Sequence, residues 1–119
     1  MREAESMTEP LMSTVVRSDE AAWRPLPAPG VSMKVLREDK DTGEWTAVFR
    51  FVAGARFPAR DHPGGEQVFV LEGDLQVGRH RLKAGDYLYT PPDGKHAVST
   101  EGGCLLLATG LRPVEILKG

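Results

Sequence analysis

The chain has 119 residues, a length typical of a single domain. Its formal net charge is −2, with 15 basic and 17 acidic residues dispersed along the sequence, so a basic face for binding nucleic acid is not expected. A single cysteine excludes an internal disulfide framework, and no apolar run approaches the roughly 20 residues of a membrane span, so we expect a cytoplasmic protein without a membrane partner.

The first thirty residues show little strand or helix pattern. Residues 1–13 are polar and aperiodic, which predicts a flexible segment before a single domain of residues 14–119. Residues 14–17 could form a short strand, and residues 18–22 offer an N-cap and acidic side chains sufficient for one helical turn. The prolines of residues 25–30 predict a loop.

Strand patterns separated by turn residues continue to the end of the chain. The clearest alternation lies in residues 44–52, where Trp45, Ala47, Phe49 and Phe51 share one face. Short strands are also predicted at residues 31–37, 67–71, 75–77, 80–82, 87–90, 96–100, 104–109 and 114–117, with a turn at 72–74 and a tight hairpin at 78–79. This pattern predicts an all-β closed barrel or jelly roll.

Candidate metal ligands follow one another near the middle of this pattern. Arg60 and His62 are two residues apart, so they project to the same side of an extended strand. The Pro-Gly-Gly turn of residues 63–65 can return Glu66 to that side, and His96 follows a later Pro/Gly turn. Two histidines and a carboxylate are suitable ligands for a divalent transition metal, whereas an arginine has no acceptor atom and cannot ligate a cation.

The spacing of these residues resembles the first motif of the cupin family. Gly54 precedes Arg60 by five intervening residues, His62 and Glu66 are separated by three, and six more lead to Gly73. Each element stands at the family spacing, but Arg60 occupies the position of the family's first histidine.

The second cupin motif is also matched in most of its positions. Gly85, Pro91 and His96 stand at the family spacings. Asp93 replaces a glycine, and Thr100 replaces an asparagine.

The flanking sequences sharpen this resemblance. The stretches GARFPARDHPGGEQVFVLEGDL, AGDYLYTPPDGKHA and GGCLLLA are similar to the cupin module of ChrR-type anti-sigma factors, over residues 14–117. The resemblance implies a single-domain, jelly-roll-like, RmlC-like β-barrel.

The resemblance also implies a metal site formed by His62, Glu66 and His96. Cupins hold zinc, iron, manganese, nickel or copper, so the family does not select the metal. Two alternatives remain for Arg60: it could pair with Glu66 in a metal-free barrel, or it could bind an anionic substrate at the barrel mouth.

The wall of the binding pocket is predicted to be aromatic. The candidates are Phe49, Phe57, Tyr87 and Tyr89. Register cannot be derived from one sequence, so the alternation alone does not show which of them point inward.

Two classes of function are consistent with these observations. The first is a stand-alone cupin that binds a small molecule, with or without a metal. The second is a metal-dependent dioxygenase acting on a small carbonyl or phenolic compound, in which Arg60 would neutralise a developing oxyanion. We also expect a homodimer, which residues 14–17 could form by adding a strand to a neighbour's sheet edge.

Overall fold

Antiparallel β-strands build the protein in the computed structural model, which describes residues 12–112 apart from the side chains of residues 60 and 61. The strands within this range are β1 (Arg24–Pro25), β2 (Val31–Glu38), β3 (Trp45–Phe51), β4 (Arg56–His62), β5 (Glu66–Val77), β6 (His80–Lys83), β7 (Tyr87–Thr90), β8 (Gly94–Ser99) and β9 (Cys104–Gly110). They pair in the order β1-β2-β3-β9-β5-β8-β4, and β6 and β7 pair with β5. The predicted all-β fold is confirmed.

The inner faces of the curled sheet form the core. In β3, the predicted alternation is confirmed, because Trp45, Ala47, Phe49 and Phe51 are all buried. Their burial removes four apolar side chains from water, at about 25 cal/mol for each Å² of apolar surface. The inward face of β3 therefore contributes directly to the hydrophobic core.

A long bent strand replaces the turn predicted at residues 72–74. The first half of β5 pairs with β7 and β9, and its second half pairs with β6 and β8. Between the halves, the register with β9 shifts at Val70 and Glu72, and Gly73 has a positive φ of 84°. The strand continues past this bulge because Leu75 and Val77 are buried on its far side.

The N-terminal segment also differs from two sequence-based predictions. Residues 14–17 form no strand and are exposed, since they offer no face that the barrel buries. The 3₁₀ turn Ser18–Glu20 agrees with the predicted single helical turn. At the start of the predicted proline loop, Pro25 pairs with Ser32 and the preceding Arg24 pairs with Met33. This strand lies at the sheet edge, a position that proline tolerates.

Two predicted features lie outside the described residues: most of the N-terminal segment 1–13 and the strand 114–117. Within the described part of the chain, there is no helix with the length and hydrophobicity that a bilayer span requires.

Candidate metal centre

Three strands bring the predicted metal ligands together at one end of the barrel. His62 ends β4, Glu66 begins β5, and His96 lies in β8. β4 and β8 are antiparallel neighbours, with His62 opposite Gly94. The register therefore sets both histidines in adjacent strands, and the short β4–β5 connection adds the carboxylate.

The connection from His62 to Glu66 is fixed by backbone hydrogen bonds. The carbonyl oxygen of His62 accepts from the N–H of Gly65 at 2.9 Å and from the N–H of Asp93 at 2.8 Å. Gly65 has a φ of 77°, and a Cβ atom there would lie 2.9 Å from the carbonyl oxygen of Thr90. A glycine is required at this position, and the two ligand-bearing turns are tied to each other.

Asp93 adopts the backbone conformation that the glycine of the second cupin motif would provide. Its φ is 64°, in the left-handed region that aspartate tolerates better than most residues. The departure from the family motif at this position therefore leaves the loop before His96 intact. The spacing of the motif did not show that Asp93 can replace the glycine at this position.

The three side chains lie at separations close to those of metal ligands. Glu66 Oε1 is 3.7 Å from His62 Nε2 and 3.4 Å from His96 Nε2. One ligand atom from each residue lies within 4.8 Å of the others, and the imidazole rings stack with centroids 4.7 Å apart. Two ligands about 2.1 Å from one ion at the tetrahedral angle would lie about 3.4 Å apart, so small side-chain rotations would suffice.

The cluster is largely buried, which raises the free-energy cost of the Glu66 carboxylate charge. The side chains of His62, Glu66 and His96 are 8%, 10% and 13% exposed. Among the described residues, neither ring nitrogen of His96 has a hydrogen-bond partner. A buried carboxylate is costly without a compensating positive charge. Two nitrogen donors and one oxygen donor fit a divalent transition metal and leave further coordination positions open.

A largely apolar cavity adjoins the cluster. Its volume is about 50 Å³, and the three candidate ligands form its polar part. The predicted wall residues Phe49 and Phe57 both line it. The remaining lining residues are Phe51, Pro58, Val68, Leu75, Val77, Val98, Leu106 and Ala108.

The tyrosines of β7 do not line this cavity, in contrast to the prediction. Tyr87 and Tyr89 are exposed on the outer face, and Leu88 between them packs against the core. The Tyr87 hydroxyl donates to Gln67 Oε1 at 2.7 Å. Burying these hydroxyls among apolar walls would leave them without hydrogen-bond partners, whereas leucine has no polar group to satisfy.

Arg60 is placed by its backbone as the register partner of His96. Its side chain is outside the described part of the structure, so both roles proposed for it from the sequence remain predictions.

The family model of the ChrR cupin-like domain matches residues 12–115 of the chain. The chain belongs to the ChrR cupin-like domain family. The resemblance inferred from the motifs is thereby confirmed, and the barrel described above is that of a ChrR-like cupin.

Two proteins similar to this ChrR-like cupin are named for the cleavage or oxidation of acetylacetone. It is 29% identical over 65 residues to the acetylacetone-cleaving enzyme of Acinetobacter johnsonii, an alignment that covers 55% of the chain and 42% of that enzyme. The chain spans less than half the length of either curated relative that it matches. A provisionally assigned acetylacetone dioxygenase of Methylibium petroleiphilum has the same fold, with a TM-score of 0.81, 24% identity, and coverage of 92% of this chain and 83% of that one.

A second similar structure is the complex of Rhodobacter sphaeroides SigE with the anti-sigma factor ChrR. The TM-score is 0.68 at 25% identity, and the match covers 79% of this chain and 50% of the other.

Proposed function

We propose that this cupin binds a divalent metal ion at His62, Glu66 and His96 and a small molecule in the adjoining cavity. The observation that carries the proposal is the convergence of two imidazoles and a carboxylate, buried or nearly so, at the polar part of a cavity with otherwise apolar walls. A pocket of this kind selects a ligand with oxygen atoms at one end and an apolar body.

The charge balance of the site favours an anionic oxygen in the ligand. Neutral His62 and His96 with ionised Glu66 carry a charge of −1, so a divalent ion would bring the cluster to +1. A guanidinium at Arg60 would add a further positive charge near His96, its register partner. A ligand that binds through an enolate, phenolate or carboxylate would offset this excess, and we propose Arg60 as its bidentate partner.

Metal binding can be tested by thermal unfolding of the chelator-treated protein. Zn²⁺, Ni²⁺, Mn²⁺ or Fe²⁺ should raise the Tm of the wild type, because a ligand at 100 times its Kd stabilises the folded state by about 2.7 kcal/mol. Glu66→Gln, which removes the buried negative charge, should abolish most of this shift. Glu20→Gln, at an exposed carboxylate of the 3₁₀ turn, is the matched control and should retain it. Equal shifts in the two variants would refute the proposed ligand set.

A second candidate is a dioxygenase reaction on a small carbonyl compound. The specific observation in its favour is the sequence match to an acetylacetone-cleaving enzyme. A ferrous ion held by two histidines and one carboxylate supplies oxygen activation in non-haem oxygenases. In this protein, the apolar walls would exclude water and orient the substrate, and Arg60 would stabilise its enolate.

Oxygen uptake distinguishes the enzyme from the binding protein. The Fe²⁺-loaded wild type is mixed with a panel of β-diketones and hydroxyacetophenones in an oxygen electrode cell. Uptake that depends on the substrate and is lost in His96→Ala supports the dioxygenase. Binding of these compounds by calorimetry without any oxygen uptake supports the binding protein and rejects the enzyme.

We further propose that the barrel of residues 14–119 acts in the cytoplasm as a homodimer. The strand-addition route expected for residues 14–17 finds no support, because these residues form no strand. Another surface offers a better route.

A further inference from the structure

An apolar row crosses the outer face of the sheet, on the side opposite the cavity. Tyr87, Phe69, Leu107 and Val48 are successive register partners on β7, β5, β9 and β3. Directly opposed residues of antiparallel strands project to the same face. We name these four residues the outer row.

The outer row is covered at one end only. Beyond Val48, its register partner Lys34 is buried and lies 4.7 Å from the ring of Trp23, which also contacts Arg50. The N-terminal segment thus protects the β2–β3 end. At the other end, within the described residues, β7 pairs only with β5.

The uncovered end is large and aromatic. Phe69 is 42% exposed, Tyr87 55%, and the adjacent Leu71 and Tyr89 are 41% and 56% exposed. A full aromatic side chain buries about 150–250 Å², so the three rings leave on the order of 300 Å² of surface available. A standard interface buries about 800 Å² on each partner, and somewhat more than half of that is apolar. These residues therefore supply most of the apolar area that one side of a standard dimer interface needs.

The charges beside the row are arranged for a second copy of the same chain. Leu105 of β9 has Arg50 of β3 on one side and Glu72 of β5 on the other, as register partners. A two-fold axis parallel to β9 between two facing sheets would place Arg50 of each copy over Glu72 of the other. The same rotation would bring the β2–β3 end of each copy, with its cover of Trp23, over the uncovered aromatic end of the other. Such mutual pairing is the property of an isologous interface.

We propose that the outer row, together with Leu71, Tyr89 and the Arg50–Glu72 pair, is the face through which two copies of this cupin associate. The proposal rests on the homodimer named under the proposed function and is independent of the metal and of catalysis.

The oligomeric state of charge-inserting variants tests the apolar part of the interface. Sedimentation equilibrium should show a wild-type dimer, and Phe69→Glu should raise the dimer dissociation constant at least about a hundredfold. Tyr87→Glu, on the more exposed edge strand, provides a second variant if Phe69→Glu fails to fold. Leu111→Glu is the control, since Leu111 is 60% exposed beyond the end of β9 and should leave the dimer unchanged.

A charge exchange tests the symmetry of the interface. Arg50→Glu and Glu72→Arg should each weaken the dimer, and the double variant should restore it, because opposite charges would again face each other across the axis. A monomeric wild type would refute both the homodimer and its surface. A dimer that survives Phe69→Glu and Tyr87→Glu would keep the homodimer and overturn this surface.

Discussion

At the scale of single residues, the clustering of the candidate ligands was predictable and the side-chain directions were only partly so. The motif spacing singled out His62, Glu66 and His96, and the structure brings them together from the end of β4, the start of β5 and the interior of β8. For β7, the alternation alone allows either Tyr87 or Leu88 to point inward. Tyr87 points outward, where its hydroxyl donates a hydrogen bond to Gln67 of the neighbouring strand β5. The pairing of β7 with β5 cannot be derived from one sequence.

Cys104 should be an inert thiol despite its position near a turn. Burial raises its pKa from 9.0 to about 11, so at pH 8 its thiolate fraction is about a hundredfold lower than that of an unperturbed cysteine. Native protein should therefore react with iodoacetamide at least about a hundredfold more slowly than protein unfolded in urea. Equal rates in the two states would show that the thiol is accessible and reject its assignment as a core residue.

At the scale of elements, the corner of β5 was the main error of the sequence-based prediction. A Glu-Gly-Asp sequence is typical of a reverse turn, and residues on both sides have strand patterns. The structure uses the glycine for a bend instead, because the strand can keep hydrogen-bonded neighbours on both sides of the bulge. A reverse turn and a bent strand can have the same local sequence at residues 72–74. Only the pairing with β9 and β6 distinguishes the bent strand from the turn.

Substitution of Gly73 should be far more damaging than substitution of another glycine with a similar backbone. Gly73 and Gly85 have φ values of 84° and 93°, but a Cβ atom at Gly73 would collide with the carbonyl oxygen of Gly103, whereas Gly85 has open space. Gly85→Ala should lower the free energy of unfolding by about 1–2 kcal/mol from backbone strain. Gly73→Ala should cost at least about twice as much. Urea denaturation measures both, and equal losses would show that the close approach at the corner is unimportant.

Asp74 should make the stability of this corner depend on pH. Its two carboxylate oxygens accept from the backbone N–H groups of Glu101 at 3.0 Å and Gly102 at 2.9 Å. These hydrogen bonds, with a smaller contribution from Arg81, lower the pKa of Asp74 below its ordinary 3.8. Because the pKa is lower in the folded state, the stabilisation is complete above pH 3.8 and is lost as the pH falls through the folded-state value.

The variant Asp74→Asn tests this linkage. It should have a lower Tm than the wild type at pH 7, and the difference should shrink once the pH falls below 3.8. Asp41→Asn, at an exposed carboxylate in the β2–β3 turn, is the control and should change little. A difference between wild type and Asp74→Asn that stays constant with pH would contradict the account.

At the scale of the whole molecule, strand alternation and turn residues were enough to predict an all-β barrel. The anchoring of the N-terminal segment was not predictable. Lys34 donates to the carbonyl oxygen of Ser18 at 2.6 Å and lies over Trp23, and these contacts join residues far apart in the sequence. No local pattern encodes such a contact, whereas a buried strand face repeats every second residue and is visible in the sequence.

The remaining question at this scale is whether the barrel works with a metal or binds its ligand by charge alone. A nearby cation would stabilise the buried carboxylate of Glu66, and either a metal ion or the guanidinium of Arg60 could provide it. The two alternatives predict different metal contents when Arg60 is replaced by the histidine that other cupins carry. If Arg60 supplies the charge, this substitution should add a metal; if a metal is already bound, the metal content should stay the same.

Elemental analysis of protein purified without a histidine tag or chelator tests the central claim most directly. We predict about one equivalent of a divalent transition metal per chain in the wild type, its loss in His96→Ala, and its retention in His80→Ala, where the histidine is exposed. A metal-free wild type that gains one equivalent in Arg60→His would contradict the claim and show that the barrel has exchanged its metal for a fixed positive charge.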